Sequence, residues 1–322
     1  MTQTLTPGRW RGLATTSSDD NIFTILAFDQ RGSYEKMLPK GTDYDTAVGI
    51  KVETVNALAP AASAFLLDPQ YGLLPMLATP RNAGILLALE ESGYSGDSTY
   101  RKVAFYDGWS VAKIKAAGAS AVKLLVYYHP ESGALAEEIE GVVRDTIEQC
   151  HQYDIPLFLE PVSYSLDAAV SKSSAEFAAA RPAVVRETAR RLGALKPDVL
   201  KLEFPTDADF DSDMASGQAA CETISAICDV PWVLLSAGVD FDVFAWQVEA
   251  ACKAGASGFL AGRAIWKEGV VLPAEERSRF LQGTALSRLR RLSEIAGEHA
   301  RPWTDFYQPI LASGTWFKEY SS

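Results

Sequence analysis

The feature that most restricts this chain is a repeat in its hydrophobicity. Eight short runs are apolar at nearly every position: Phe23–Phe28, Ala64–Leu67, Ile85–Leu89, Ala121–Tyr127, Leu157–Leu159, Val199–Phe204, Trp232–Leu235 and Gly258–Leu260. Between them lie amphipathic stretches such as Asp107–Ala117, Ala136–Tyr153, Pro182–Leu192 and Phe241–Ala254. A strand with one wet face alternates polar and apolar residues, whereas a run apolar at both parities is buried on both faces. Such strands alternating with helices predict an α/β fold with a parallel sheet. Eight units in 322 residues favour a closed (β/α)8 barrel, with an open doubly wound sheet as the alternative. The polar stretches Ser171–Ser174 and Asp207–Asp213 follow strand-like runs closely and are loops rather than linkers. Residues 1–322 are therefore read as a single barrel domain with N-terminal and C-terminal extensions. The tail from Pro273 carries an Arg-rich helix (Arg288, Arg290, Arg291) and then Pro302-Trp303.

Charge and composition narrow the function. The net charge of −11 argues against nucleic acid, which needs a basic face, and against an anionic membrane surface. A small anionic substrate remains open, because a local basic pocket can sit inside an acidic protein. The polar start, Met1–Asp20, has no apolar core of the signal-peptide kind, and no apolar run is long enough to span a bilayer. Cys150, Cys221, Cys228 and Cys252 are irregularly spaced and read as buried or half-buried thiols of a reducing cytoplasm. His129, His151 and His299 are scattered, with no metal-binding spacing. No metal and no cofactor are expected. A symmetric homo-oligomer is compatible with the chain.

Polar residues inside apolar strands carry the functional signal, because a buried charge needs a partner or a task. Lys201 and Glu203 share one face of Val199–Phe204, the face opposite Leu200, Leu202 and Phe204. Lys201 is either an amine nucleophile facing the barrel interior or a structural partner of Glu203 or a neighbour. Lys123, inside Ala121–Tyr127, is a second interior lysine. Two such lysines would lower each other's pKa, one staying charged and the other free to attack. Glu160 closes its strand and suits general acid/base work or the pairing of a barrel lysine. Asp29 closes the first strand and could instead cap the following helix. Ser236, Ala237 and Gly238 follow the seventh strand, and Gly262 and Arg263 the eighth. In barrels these two loops commonly hold a phosphate. Two ordinary strand-to-helix turns are the alternative there.

Taken together, the stretches LAFDQRG (26–32), LLDPQYG (66–72), VKLLVYY (122–128), FLE (158–160), DVLK (198–201), LSAG (235–238) and GRA (262–264) resemble the tagatose 1,6-bisphosphate aldolase family of class I aldolases. The resemblance runs in order from about residue 10 to Thr304. It implies a barrel that cleaves a ketohexose 1,6-bisphosphate to dihydroxyacetone phosphate and glyceraldehyde 3-phosphate. It also implies a Schiff base on Lys201, acid/base work by Glu160, an auxiliary lysine at Lys123, an aspartate at Asp29 and phosphate loops at Ser236–Gly238 and Gly262-Arg263. Gln30 and Arg31 are read as contacts to substrate hydroxyls or the second anion. Three places depart from the familiar pattern: His129-Pro130 after the tyrosine pair, Pro161 after Glu160, and Glu203-Phe204-Pro205 after Lys201. They bear on substrate identity more than on chemistry. A related branch cleaves a sulfonated ketose phosphate. A sugar-phosphate isomerase or epimerase and a non-catalytic sugar-phosphate sensor are the competing readings.

Overall fold

The computed structural model describes residues 2–91, 96–311 and 313–320. A short strand, β1 (Gln3–Leu5), comes first. Eight parallel strands then close into a barrel in chain order: β2 (Phe23–Phe28), β3 (Ala64–Leu67), β4 (Gly84–Ala88), β5 (Ala121–Tyr127), β6 (Leu157–Val162), β7 (Val199–Leu202), β8 (Trp232–Leu235) and β9 (Gly258–Ala261). Each apolar run of the sequence is one of these strands. The ring closes where Phe23–Leu26 pairs with Gly258–Ala261. The open-sheet alternative is thereby excluded.

Strand alternation sorts the side chains into two apolar layers. Phe23, Ile25, Leu66, Ala121, Phe158 and Val233 belong to a cluster inside the barrel. Leu26, Phe65, Val122, Leu159, Leu200 and Leu234, of opposite parity, pack outward with the helices. This double burial is why the runs are apolar at nearly every position of both parities. Where the inner parity continues towards the C-terminal strand ends, apolar residues give way to charged ones. Lys123 follows Ala121, Glu160 follows Phe158, and Lys201 follows Val199, each two residues on.

The helices differ from expectation mainly at their ends. The helix around Pro182 runs from Ala175 to Gly193, with Ser174 capping it through the Phe177 amide. Pro182 therefore lies inside the helix rather than at its start. The helix predicted at Asp107–Ala117 spans only Val111–Ala116, because Ser110 caps it through the Lys113 amide.

The N-terminal end of the barrel is plugged by both extensions. β1 pairs in parallel with β10 (Tyr307–Pro309). Leu13, Trp303, Phe306 and Tyr307 join the inner apolar cluster. Asp198, at the foot of β7, accepts from Arg9 Nε (2.8 Å) and the Leu157 amide (2.9 Å). Among the described residues, no helix is long and apolar enough to cross a membrane.

Candidate active site

The opposite, C-terminal end of the barrel opens into a cavity of about 680 Å³. Asp29, Gln30, Lys123, Glu160, Lys201, Ser236, Ala237, Gly262 and Arg263 line it, so nearly all the residues singled out from the sequence meet in one place. Gly238 stands behind the wall, against Arg263.

At the floor of the cavity, charged groups are packed in alternation. Lys201 Nζ lies 2.9 Å from Glu160 Oε1, and Lys123 Nζ lies 2.9 Å from Glu160 Oε2. Lys123 also donates to Asp29 Oδ2 and to Glu90 Oε1, both at 2.8 Å. Arg31 reaches Glu90 through its backbone carbonyl (2.8 Å) and through Oε1 (3.2 Å). Three basic side chains, Lys123, Lys201 and Arg31, thus face three carboxylates, those of Asp29, Glu90 and Glu160. All six groups are buried. Such mutual pairing is what makes burial of so much charge tolerable.

Two groups are strongly perturbed. Burial opposes the charge on Lys123, but Asp29, Glu160 and Glu90 outweigh it and hold the ammonium well above the usual lysine value. Burial likewise works against the Asp29 carboxylate, yet Lys123, Lys201 and Arg31 hold it well below the usual carboxylate range. Lys123 is therefore a fixed cation. The expectation that the two lysines lower each other's pKa fails for Lys123, because the three carboxylates around it outweigh any lysine nearby. Lys201 takes Glu160 as its partner, not Glu203. Glu203 instead accepts from the Ser163 amide (2.7 Å) and hydroxyl (2.5 Å) and pairs with Lys172 and Arg181. Asp29 caps no helix: the next one begins at Gly32, and its preceding residue, Arg31, makes no side-chain cap.

Glu160 Oε2 is buried and, although near Lys123, has no hydrogen bond aimed at it among the described residues. Gln30 Oε1 and Arg31 Nε are buried and unpartnered in the same sense. A buried polar atom without a partner is costly, so Gln30 Oε1 and Arg31 Nε are left for a ligand to satisfy, whereas Glu160 Oε2 already has the Lys123 ammonium at 2.9 Å.

The two glycine-containing loops form one wall. Ser236 Oγ accepts from the Gly262 amide (3.2 Å), which ties the loops together. Arg263 donates to the Ala237 carbonyl at 3.3 Å. Ala237 (φ 47°) and Gly238 (φ 86°) are successive left-handed residues. A Cβ at position 238 would stand 2.9 Å from Arg263 Cζ, so only glycine lets the guanidinium lie against this loop.

Glu90 is one site residue that sequence reasoning missed. It lies two residues past β4, as Asp29 lies one past β2, and its place directly after the apolar run Ile85–Leu89 was the available signal. Lys172 and Arg181 were missed as well, and no local pattern marks them.

A closed parallel barrel with ionisable groups gathered at its C-terminal strand ends is the architecture of a barrel enzyme. The chain belongs to a particular family of these: it matches the DeoC/LacD family aldolases over residues 23–268. It is 32% identical to tagatose 1,6-diphosphate aldolase 2 of Streptococcus mutans serotype c, covering 94% of this chain and 98% of the relative. It is 33% identical to tagatose 1,6-diphosphate aldolase of Listeria monocytogenes serovar 1/2a, covering 94% and 96%. A solved Schiff base-forming fructose-1,6-bisphosphate aldolase shares the fold, with a TM-score of 0.61 at 19% identity over 88% of this chain and 98% of that one. Fructose-bisphosphate aldolase from Plasmodium falciparum does so with a TM-score of 0.69 at 12% identity, over 93% and 98%.

Proposed function

We propose that this protein is a class I aldolase. It reversibly cleaves a ketohexose 1,6-bisphosphate, tagatose 1,6-bisphosphate or a stereoisomer, to dihydroxyacetone phosphate and glyceraldehyde 3-phosphate. One observation carries the reading: the Lys201 amine lies 2.9 Å from a buried carboxylate oxygen of Glu160, at the C-terminal end of the barrel.

The chemistry follows from that pair. Attack on the C2 carbonyl needs the free amine, and Glu160 is the base in reach of its proton. The amine adds to C2 to give a carbinolamine. Glu160 returns a proton to the departing hydroxyl, water leaves, and an iminium remains. Glu160 then removes the C4 hydroxyl proton. The C3–C4 bond breaks, the aldehyde departs, and the bonding pair passes into the iminium to give an enamine. Protonation at C3 and hydrolysis release dihydroxyacetone phosphate and restore the amine. Lys123 supplies the fixed positive charge beside Glu160, and Asp29 orients Lys123. Ser236, Ala237, Gly238, Gly262 and Arg263 anchor one phosphate, which holds C2 over the amine. Gln30 takes a substrate hydroxyl.

The basic side chains of Arg31, Lys201 and Arg263 in the cavity support a small anionic substrate, the net charge of −11 speaks against nucleic acid or membrane as partner, and four free buried cysteines support a cytoplasmic setting.

Incubation with dihydroxyacetone phosphate in the presence of EDTA, borohydride reduction and peptide mass spectrometry test the reading. A reduced adduct on Lys201 is expected, absent in Lys201→Met. Wild-type protein without an adduct would overturn it in favour of an isomerase or a binding protein.

A further inference from the structure

Behind the cavity wall lies a further buried ion pair, neither member of which lines the cavity. Lys51 sits on the helix Tyr44–Leu58, and Asp68 just past β3. Both side chains are fully buried. The three ammonium donors of Lys51 have three acceptors: the Phe28 carbonyl (2.8 Å), the Gln30 carbonyl (3.0 Å) and Asp68 Oδ2. The rings of Phe28, Tyr34 and Tyr71 surround the ammonium at 4.6–5.4 Å. Asp68 is fixed in turn by the amides of Gln70 (2.9 Å) and Tyr71 (2.8 Å).

The two carbonyls that Lys51 grips flank Asp29. Asp29, Gln30 and Arg31 lie beyond the end of β2, where the strand no longer dictates the backbone. All three line the cavity. Asp29 holds Lys123, and Arg31 holds Glu90. Stability alone does not call for this arrangement, because a buried ion pair can often be replaced by apolar residues at no loss. What an apolar pair could not do is fix two carbonyls in space.

We propose that Lys51 and Asp68 are positioning residues, which set the backbone at Phe28–Gln30 so that Asp29 meets Lys123 and the Lys123–Glu160–Lys201 chain keeps its alignment. The proposal rests on the aldolase reading. Lys51 acts through Asp29, so its effect falls on turnover and depends on the Asp29 carboxylate.

The test is a double-mutant cycle. Lys51→Met combined with Asp68→Asn removes both charges and keeps the acceptor for the Gln70 and Tyr71 amides. kcat is expected to fall about 100-fold, the scale of a ~1 Å misplacement, with KM within about threefold and the Lys201 adduct still formed. In an Asp29→Asn background the same change is expected to cost less than about threefold, since the group it acts through is gone. Lys51→Arg, which keeps the charge but cannot set three donors on the same oxygens, is the second variant. It should lower kcat about tenfold with little change in Tm. Equal losses in both Asp29 backgrounds, or a fall in Tm with kcat retained, would reduce the pair to a structural strut and overturn the proposal. Wild-type protein that forms no Lys201 adduct removes the aldolase reading and the proposal with it. A normal wild-type adduct with equal losses removes only the positioning role.

Discussion

Strand β7 has a buried charge near each end, and the two ends are built differently. At its foot, Asp198 is enclosed: Arg9 and the Leu157 amide saturate it, and the terminal extensions seal the space around it. At its head, Lys201 shares Glu160 with Lys123, the nearby Gln30 Oε1 and Arg31 Nε lack hydrogen bonds, and the group faces an open cavity. The same barrel thus carries a closed polar network at one end and an incomplete one at the other. A saturated network holds the chain together, while an incomplete one has capacity left for a ligand. In this family of architectures the two ends divide in that way, chemistry at the C-terminal face and stability at the other.

The sharpest break of the comparison is at Glu160. Glu160→Gln keeps the shape but removes the base, so kcat should drop by about 10²–10⁴ in a retro-aldol assay. Its Tm should fall less than that of Arg9→Met at the foot, because Lys123 keeps Asp29 and Glu90 as counterions and Lys201 faces the open cavity. A large fall in Tm with kcat kept would reverse the assignment of the two ends. Next in size is the foot. Arg9→Met leaves the Asp198 carboxylate buried without its cation and should lower unfolding free energy by about 3 kcal/mol in urea titration. Turnover of the folded variant should stay within about twofold. An Arg9 variant that folds normally but turns over slowly would show that the two ends are coupled.

The smallest expected effect separates charge from shape at the head. The folded-state pKa of Asp29 is depressed, so its contribution to stability is complete above the unfolded value of about 3.9 and is lost as pH falls towards the lower folded value. Asp29→Asn should therefore flatten the acid limb of the stability–pH curve below about pH 5 and leave its slope near neutrality unchanged. An unchanged acid limb would mean that Lys123 is held by Glu90 and Glu160 alone.

The residues that could be read early share one property: a local contradiction. Lys123 and Lys201 are charges inside apolar runs and Glu160 closes one, and an isolated sequence already shows that such a charge needs a purpose. Glu90 had the same signal at the end of its run. Lys51 did not. It lies on a helix, where one lysine among mixed residues is unremarked until the fold turns that face towards Phe28 and Asp68. The partners also escaped local reading. Glu203 shares a face with Lys201 in the strand, yet neighbouring elements bring Lys172 and Arg181 to Glu203 and Glu160 to Lys201. The amphipathic stretch Pro182–Leu192 is only the later part of its helix, which Ser174 caps eight residues before Pro182.

The sequence by itself determined that eight doubly buried strands alternate with helices, and which strands carry charge towards their C-terminal ends. Hydrophobic burial is written residue by residue, and strand parity converts that pattern into inside and outside. Tertiary structure alone decided who meets whom. Only closure of the ring brings β2, β5, β6 and β7 around one axis, so that Asp29, Lys123, Glu160 and Lys201 converge. The same closure makes Lys123 a permanent cation. A pKa depends on every charge within a few ångströms, and those neighbours come from strands far apart in the chain.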